Sequence, residues 1–223
     1  LVSSAASDVY KRQIKGFTIL ELLVVITIVA IVSAVGYPNF MKWREDREIR
    51  AAMESAATML SSINNLSQRG NFPFVQLKIT PNGTTNTTIT SKGMNVKTLS
   101  TRLNSGSVID CSLTNSGYWD NHLVDKTTKN VSTHINAEGS VCFSQDGTHY
   151  KTLGKLNSNV NVTVEGRITN QYLIICSTSN ASGSGKCPTN QADGLKQPAY
   201  LVEWTRFGNI SKFKWSGSGW NRQ

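Results

Sequence analysis

The stretch FTILELLVVITIVAIVSAVGY, residues 17–37, is apolar along almost its whole length. Its single charged side chain is Glu21. Because an α-helix rises about 1.5 Å per residue, a helix of this length matches the hydrocarbon core of a bilayer, which is about 30 Å thick. The sequence therefore predicts a membrane-spanning helix here. Lys15 on the N-terminal side favours a cytoplasmic start and an exported remainder of the chain.

Two simpler interpretations of this stretch stay open, a cleaved signal peptide and a generic single-span anchor. The apolar run is longer than the roughly 7–15 residues of a signal-peptide core, although residues 32–34, VSA, could serve as a small-residue cleavage site. Neither interpretation accounts for Glu21. A carboxylate inside a membrane helix is costly unless it has a partner, so Glu21 is predicted to have a function.

The residues before the apolar run are expected to be mostly foreign. Residues 8–13, DVYKRQ, can be encoded by codons that resemble the end of a widely used sequencing adapter. We therefore expect residues 1–13 to be an assembly artefact and residues 14–16 to be the remnant of a leader peptide.

Residues 15–21, KGFTILE, resemble the prepilin cleavage motif of type IV pilins and type II secretion pseudopilins. The resemblance implies that prepilin peptidase, a membrane aspartyl protease, cuts after Gly16, and that the new N-terminal residue Phe17 is then N-methylated. A glycine at the cut suits a narrow protease cleft. The resemblance also implies that Glu21 neutralises the Phe17 amine of a neighbouring subunit. Each charge would remove the burial penalty of the other, which sets the register of assembly.

Residues 38–70 are predicted to continue the helix as an amphipathic half that packs on the following domain. Pro38 removes a helix hydrogen bond and is the predicted position of a kink. Gly70 and Pro73 are predicted to end the helix. Residues 42–50, KWREDREIR, carry both signs of charge and are expected at the membrane–water boundary. The apolar positions at three- and four-residue spacing are Ile49, Met53, Ala56, Ala57, Leu60, Ile63 and Leu66.

Residues 72–223 read as an exported, β-rich head domain of short strands and turns. The whole chain is therefore predicted to be α+β, with an antiparallel sheet packed on the long helix, and the resemblance to pilins implies the same fold. The strand candidates are residues 74–79, 106–111, 140–143, 160–164, 172–176 and 200–204. Turns are predicted at residues 81–83, 145–147 and 207–209, and loops at residues 115–117 and 177–185.

The four cysteines all lie in this head domain, and no two of them form a CxxC pair. The three histidines are scattered, so zinc-ligand spacing is absent. An even number of cysteines in an exported domain predicts two disulfides, for which three pairings are possible. We favour the sequence-local pairing, Cys111 with Cys142 and Cys176 with Cys187, over free thiols in a reducing compartment.

The C-terminal segment, residues 196–223, combines basic and aromatic side chains. This composition, together with the net charge of +9 for the chain, fits an anionic partner such as DNA. On a strand, Lys212 and Lys214 share one face while Phe213 and Trp215 share the other. The favoured interpretation is an outer strand whose aromatic side chains enter the core and whose lysines are solvated. The candidate DNA contacts are Arg206, Lys212 and Lys214.

Two further segments narrow the resemblance. Residues 141–147, VCFSQDG, and the late strand pair over residues 201–215 are similar to parts of minor pilins and pseudopilins of the FimT/GspH type. The resemblance implies a type IV pilus minor pilin, a structural subunit that helps to prime, tip or build a filament. The alternatives are a major pilin, a type II secretion pseudopilin, and a minor pilin that binds DNA for uptake. Residues 208–211, GNIS, lack the arginines of the Gly-Arg-x-Arg run of some DNA-binding FimT-like pilins.

The resemblance also implies partners and a location. The expected partners are other pilin or pseudopilin subunits, prepilin peptidase, inner-membrane lipid and, in the last alternative, DNA. The expected location is the bacterial inner membrane with a periplasmic head, and afterwards the filament. We predict no enzymatic activity, cofactor or metal site. Residues 184–187, SGKC, resemble part of a phosphate-binding loop, but they have a cysteine at the position where such a loop has a magnesium-binding Ser or Thr.

Overall fold

The computed structural model describes most of the chain. Residues 1–15 lie outside the described part, and with them the predicted artefact and nearly all of the leader remnant. By compactness the chain divides into two units, Leu1–Trp43 and Arg44–Gln223, and each is described by itself. The described ranges are 16–70, 72–107, 111, 119–135, 137–146, 150–154, 156–183 and 185–223.

The first described element is the long helix α1, which begins at Ile19 and ends at Gln68. It contains one window that is long and apolar enough to cross a membrane, and none of that window is buried. Pro38 lies inside α1, and the helix continues through it, so the kink stays a prediction.

The C-terminal half of α1 ends where the sequence predicted. The Arg69 N–H donates to the Asn65 carbonyl at 3.0 Å, and the Gly70 N–H donates to the Ser67 carbonyl at 3.2 Å. Gly70 has a φ of +78°, a left-handed conformation that glycine adopts without a steric penalty and that closes a helix. The predicted apolar face is confirmed as buried at Ile49, Met53, Ala56, Ala57, Leu60 and Ile63, with Leu66 packed at its edge.

The remainder of the described chain is mostly β-structure. One short helix, α2 (Val96–Asn104), and a 3₁₀ turn over Thr178–Asn180 interrupt it. The strands are β1 (Phe74–Asn82), β2 (Asn86–Met94), β3 (Asp120–Lys129), β4 (Ser132–Thr133), β5 (Gly139–Ser144), β6 (Tyr150–Gly154), β7 (Asn157–Val164), β8 (Arg167–Cys176), β9 (Ala199–Trp204), β10 (Ile210–Trp215) and β11 (Trp220–Arg222).

These strands form two antiparallel sheets. The first has the order β3-β2-β1-β5-β6, and the second has the order β11-β10-β9-β8-β4, with β7 also paired to β8. The α+β class with antiparallel sheets against the long helix is therefore confirmed, although the head contains two sheets instead of the one predicted.

The second sheet is covered on both faces, which explains the unbroken apolar run in β8. Leu173 and Ile175 pack into the cluster that contains the buried face of α1. Tyr172 and Ile174, which alternate with them, pack into a second cluster that includes Phe213. A strand buried on both faces reads as continuous hydrophobic sequence instead of an alternating pattern.

One predicted strand is not found at its described residues, and several elements were not predicted. Gly106, with a φ of +69°, and Cys111 lie in turns, so the two ends of the predicted strand 106–111 are not strand residues, while residues 108–110 lie outside the described part. The helix α2 buries none of its residues, so it lacks the apolar stripe that would have revealed it. The helix begins after an N-cap, Asn95, whose side chain accepts a hydrogen bond from the Thr98 N–H at 2.7 Å.

Candidate functional site at the start of the long helix

The first turn of α1 carries the predicted cleavage and assembly motif. The Glu21 N–H donates to Thr18 Oγ1 at 3.1 Å, and the Leu22 N–H donates to the Thr18 carbonyl at 3.1 Å. Thr18 is therefore the N-cap, and Glu21 occupies the third helical position. The spacing T-x-x-E is typical of a helix start, a signal that our sequence interpretation did not use.

The surface around Glu21 is apolar and open to solvent in the described chain. Phe17 is 82% exposed and Leu20 is 74% exposed. The large apolar residues that follow, from Leu22 to Val35, are also exposed. Among the described residues, the Glu21 carboxylate is thus an anionic group on an apolar helix surface. Chemically, it can accept a cation from a second chain once lipid or protein replaces water around it.

Gly16 stands immediately before Phe17, and the fold does not require a glycine there. A Cβ atom built on Gly16 meets nothing within 4 Å. The backbone φ of Gly16 is not among the positive values found at other glycines. The packing of the described residues therefore does not require a glycine at this position.

The chain matches the family model described as the prokaryotic N-terminal methylation motif over residues 11–37. The chain is a type IV pilin-like protein. The matched segment contains Gly16, Phe17 and Glu21, and the α+β architecture behind it is consistent with the pilin fold. Comparison with curated proteins and with solved structures found no match.

Two disulfides stabilise the pilin-like head. They join Cys111 to Cys142 and Cys176 to Cys187, which confirms the sequence-local pairing. The first bridge ties a turn to β5, and the Ser140 hydroxyl donates to the Cys111 carbonyl at 3.1 Å. The second bridge closes the loop that contains the 3₁₀ turn after β8. Cross-links of this kind typically stabilise a fold by about 2–4 kcal/mol.

Three acids of α1 attach the helix to the second sheet. The hydroxyls of Ser177 and Ser179 both donate to Glu45, the latter at 3.0 Å. Asp46 accepts from the Tyr200 hydroxyl at 3.0 Å. Further along the helix, Glu54 pairs with a lysine of β10. These polar contacts flank the apolar contacts of the same helix face.

The prediction that the β10 lysines are solvated is wrong, because this face of the strand turns towards α1. Lys212 Nζ lies 2.8 Å from Glu54 Oε2, and Lys214 Nζ lies 3.0 Å from Asp46 Oδ1. About two thirds of each lysine side chain is covered. The predicted burial of Phe213 is confirmed.

The remaining DNA candidate, Arg206, lies elsewhere. It is exposed in the turn between β9 and β10, beside Phe207, which is 75% exposed. The Asn64 side-chain amide donates to the Phe207 carbonyl at 3.3 Å and holds this turn against α1. Arg206 and the two β10 lysines thus do not form one exposed basic surface, since the lysines are engaged with helix acids.

A basic cleft of about 620 Å³ opens on the first sheet. Lys78, Lys92 and Lys126 line it together with threonine side chains from β1 and β2. Glu138 also lines the cleft and pairs with Lys78 at 2.7 Å. Sequence reasoning did not find this cleft, because its lysines come from three strands that only the sheet brings together.

The Asp46 contacts predict that alkaline pH weakens the fold. Asp46, by accepting its hydrogen bond, raises the pKa of Lys214 above the ordinary 10.5, and burial raises the pKa of Tyr200 above 10.0. A raised pKa contributes stability that is complete below the unfolded-state value and is lost as pH rises through the folded-state value. We expect a flat unfolding midpoint up to about pH 9.5 and a fall above about pH 10.5, by the linkage of proton binding to folding.

Thermal unfolding followed by circular dichroism at constant ionic strength measures this effect. Asp46→Asn should flatten the alkaline fall, because the Lys214 charge loses its partner. The matched control is Glu48→Gln, which alters an exposed i,i+4 pair with Arg44 and should leave the profile unchanged. An alkaline fall of equal size in Asp46→Asn would contradict the assignment.

Proposed function

We propose that this pilin-like protein is a minor pilin, a structural subunit that helps to prime, tip or build a pilus-like filament. Cleavage by prepilin peptidase between Gly16 and Phe17 precedes assembly. The observation that carries the proposal is the continuous exposure of apolar side chains along the first half of α1. An apolar surface of this extent has to be covered, first by lipid and then by the helices of other subunits.

Glu21 and the Phe17 amine supply the specificity of this packing. Apolar helix surfaces attract one another in many registers, whereas a buried charge pair is favourable only when both charges meet. The position of Glu21 in the first turn of α1, on an otherwise apolar surface, supports this role. The membrane stage places the chain in the inner membrane with its disulfide-bonded head in the periplasm, where disulfides persist.

A pseudopilin of type II secretion is the neighbouring alternative, since it would use the same helix and the same cleavage. The FimT/GspH-type assignment rests on residues 141–147 and 201–215; residues 141–146 belong to β5 and the following turn, residue 147 lies outside the described part, and residues 201–215 contain the β9–β10 pair. The strands of both segments are largely buried in the head. Their similarity therefore supports the fold type of a minor subunit more than a choice of machine.

Mass spectrometry of sheared filaments tests the proposal directly. We expect a substoichiometric amount of the chain in the filament fraction, with an N-terminal peptide that starts at methylated Phe17. A chain found only in membranes, with residues before Phe17 still attached, would contradict the proposal. Detection in filaments of a secretion-deficient or a pilus-deficient strain would distinguish the pseudopilin from the pilus subunit.

DNA uptake is a second candidate function, and the structure changes which residues it would use. Because Lys212 and Lys214 pair with helix acids, we expect their joint replacement by alanine to alter duplex-DNA binding less than replacement of the exposed Lys126 in the cleft. The measurement is binding of the full-length protein in detergent micelles across a salt series. Binding that falls only in the β10 double variant would restore the original candidates, and no binding at low salt would exclude this function.

A further inference from the structure

The basic cleft lies on the face of the first sheet that is opposite to α1. Leu77 and Ile79 of β1 are buried in the core cluster that includes the buried face of α1. Lys78 and Thr80, which alternate with them along the strand, line the cleft instead. The cleft volume of about 620 Å³ falls within the range of about 300–1,000 Å³ that is typical of sites for small ligands.

Buried side chains form one end of this cleft. Gln76 and Trp119 line it there and are 1% and 2% exposed. The Gln76 side-chain amide donates to the Cys111 carbonyl, which also accepts from the Ser140 hydroxyl at 3.1 Å. The disulfide to Cys142 fixes Cys111 to β5. A covalent bridge and two hydrogen bonds therefore hold this end of the cleft in shape.

Polar groups along the cleft are positioned by hydrogen bonds to one another. Glu138 Oε1 lies 2.7 Å from Lys78 Nζ and accepts from the Thr80 hydroxyl at 3.4 Å. The Asn82 amide donates to Thr88 Oγ1 at 2.7 Å. A carboxylate can accept about four hydrogen bonds, so Glu138 keeps the capacity to bind a ligand. Groups that are held in this way lose little conformational entropy when a ligand binds.

The charges of the cleft are separated across the sheet. In the strand register, Lys126 of β3 lies beside Thr90 of β2, and Thr90 lies beside Lys78 of β1. Because neighbouring strands are about 4.8 Å apart, the backbones of the two lysines are about 10 Å apart. Lys126 is exposed at one side, whereas Lys78 is paired with Glu138 at the other. With Lys92, the described lining carries three lysines and one acid.

We propose that the basic cleft binds an acidic saccharide, whose carboxylate pairs with Lys126 and whose hydroxyls are bound by Glu138 and Thr90. The paired Glu138 and Lys78 place an acceptor and a donor side by side, and sugar hydroxyls match both, since each hydroxyl donates and accepts. Sugars that carry a carboxylate, the uronic acids, also match the excess of lysine. This binding role goes beyond the structural role in a filament and does not depend on it.

Duplex DNA is the competing occupant, and the acid in the cleft disfavours it. Affinity for DNA comes mainly from cations that neutralise phosphates. Glu138 adds a negative charge to the lining and engages Lys78, which reduces that attraction. For a sugar, the same carboxylate is favourable because it accepts hydrogen bonds from hydroxyls. Removal of the Glu138 charge should therefore weaken saccharide binding and strengthen DNA binding.

Saturation-transfer NMR titrations of the full-length protein, in micelles of a detergent without a sugar headgroup, test the proposal. The probes are the trisaccharide of galacturonic acid, its methyl ester and a short DNA duplex. The ester keeps the ring hydroxyls and lacks the charge. We expect the acid to bind about tenfold more tightly than the ester, the effect of one charge-assisted hydrogen bond.

Three variants assign this binding to the cleft. Lys126→Gln should weaken the acid by about tenfold and leave the ester unchanged, because the ester has no charge to lose. Glu138→Gln should weaken both sugars. Thr90→Val keeps the shape and the charge of the half-buried Thr90 and should also weaken both, so the hydroxyl contacts are tested without an altered ion pair.

Lys196→Gln is the matched control, because it removes an exposed lysine that is not among the described lining residues of the cleft. It should leave both affinities unchanged. An equal unfolding midpoint by circular dichroism confirms that each variant is folded. The proposal is overturned if the acid does not bind, if acid and ester bind equally, or if Glu138→Gln tightens binding of the acid. Tighter binding of the duplex than of the acid by the wild-type protein would assign the cleft to DNA.

Discussion

Replacing Glu21 with valine is expected to remove the protein from filaments while leaving it in the membrane. In the assembled state the carboxylate would meet the methylated amine of Phe17 on a neighbouring subunit, and valine would leave that amine charged and unpaired in an apolar environment. An unpaired buried charge costs several kcal/mol, so we expect the filament-associated fraction to fall by about tenfold or more.

The valine variant preserves the local structure of the helix start. The hydrogen bond at this position uses the backbone N–H of residue 21 and the hydroxyl of Thr18, and valine keeps that N–H. Membrane insertion should be unchanged or stronger, since a charge leaves the apolar run. Loss from the filament therefore cannot be attributed to a lost cap or failed insertion.

Immunoblots of sheared filaments and of carbonate-washed membranes give the two readouts. Glu48→Ala is the matched control, because it removes an exposed acid of the same helix that forms an exposed pair with Arg44. Its filament fraction should equal that of the wild type. Normal amounts of Glu21→Val in filaments would show that the pairing role is wrong.

Replacing Gly16 with leucine is expected to block N-terminal processing almost completely without affecting the fold. A Cβ atom added at Gly16 meets nothing within 4 Å, so the described residues leave room for a side chain there. In the cleft of the protease, which has to admit the backbone closely, a leucine would clash. We expect the uncut precursor to replace the mature form, with an unchanged unfolding midpoint of the head.

Gly36→Leu is the control for this variant. Gly36 lies within α1, and a Cβ atom added there also meets nothing within 4 Å, so both substitutions add the same side chain at a position where the described residues leave space. Gel mobility and the mass of the N-terminal peptide report processing, which Gly36→Leu should leave intact. Normal cutting of Gly16→Leu would contradict a cleavage site at Gly16.

The helix and the motif could be predicted because their signals are local. The apolar run, the glycine before it and Glu21 within it are read directly from adjacent residues, and the buried face of α1 follows from three- and four-residue spacing. The strands β8 and β9 were found for a similar reason, since they are dense in apolar side chains. The polar elements α2 and β2 were not predicted. The strand β2 is buried because it pairs with a strand on each side, and α2 has no buried face.

The candidate DNA contacts of the C-terminal segment show what the pattern of neighbouring residues does not predict. The alternation of β10 correctly separated Phe213 from its lysine neighbours, because side chains alternate along any strand. The pattern did not predict which residues cover the lysine face. Asp46 and Glu54 cover it. They lie more than 150 positions earlier in the chain, and the packing of α1 brings them within 3.0 Å of the lysines.

The residue order thus determines that this chain has an apolar N-terminal helix with a methylation motif, followed by a disulfide-bonded β-rich head. Those features depend on the identity and spacing of neighbouring residues. The division of the head into two sheets and the pairing of the β10 lysines depend on contacts between distant segments. Such contacts form when apolar surfaces close on one another, and a charge near the closing surface then becomes either a partner or an exposed group according to the side on which it lies.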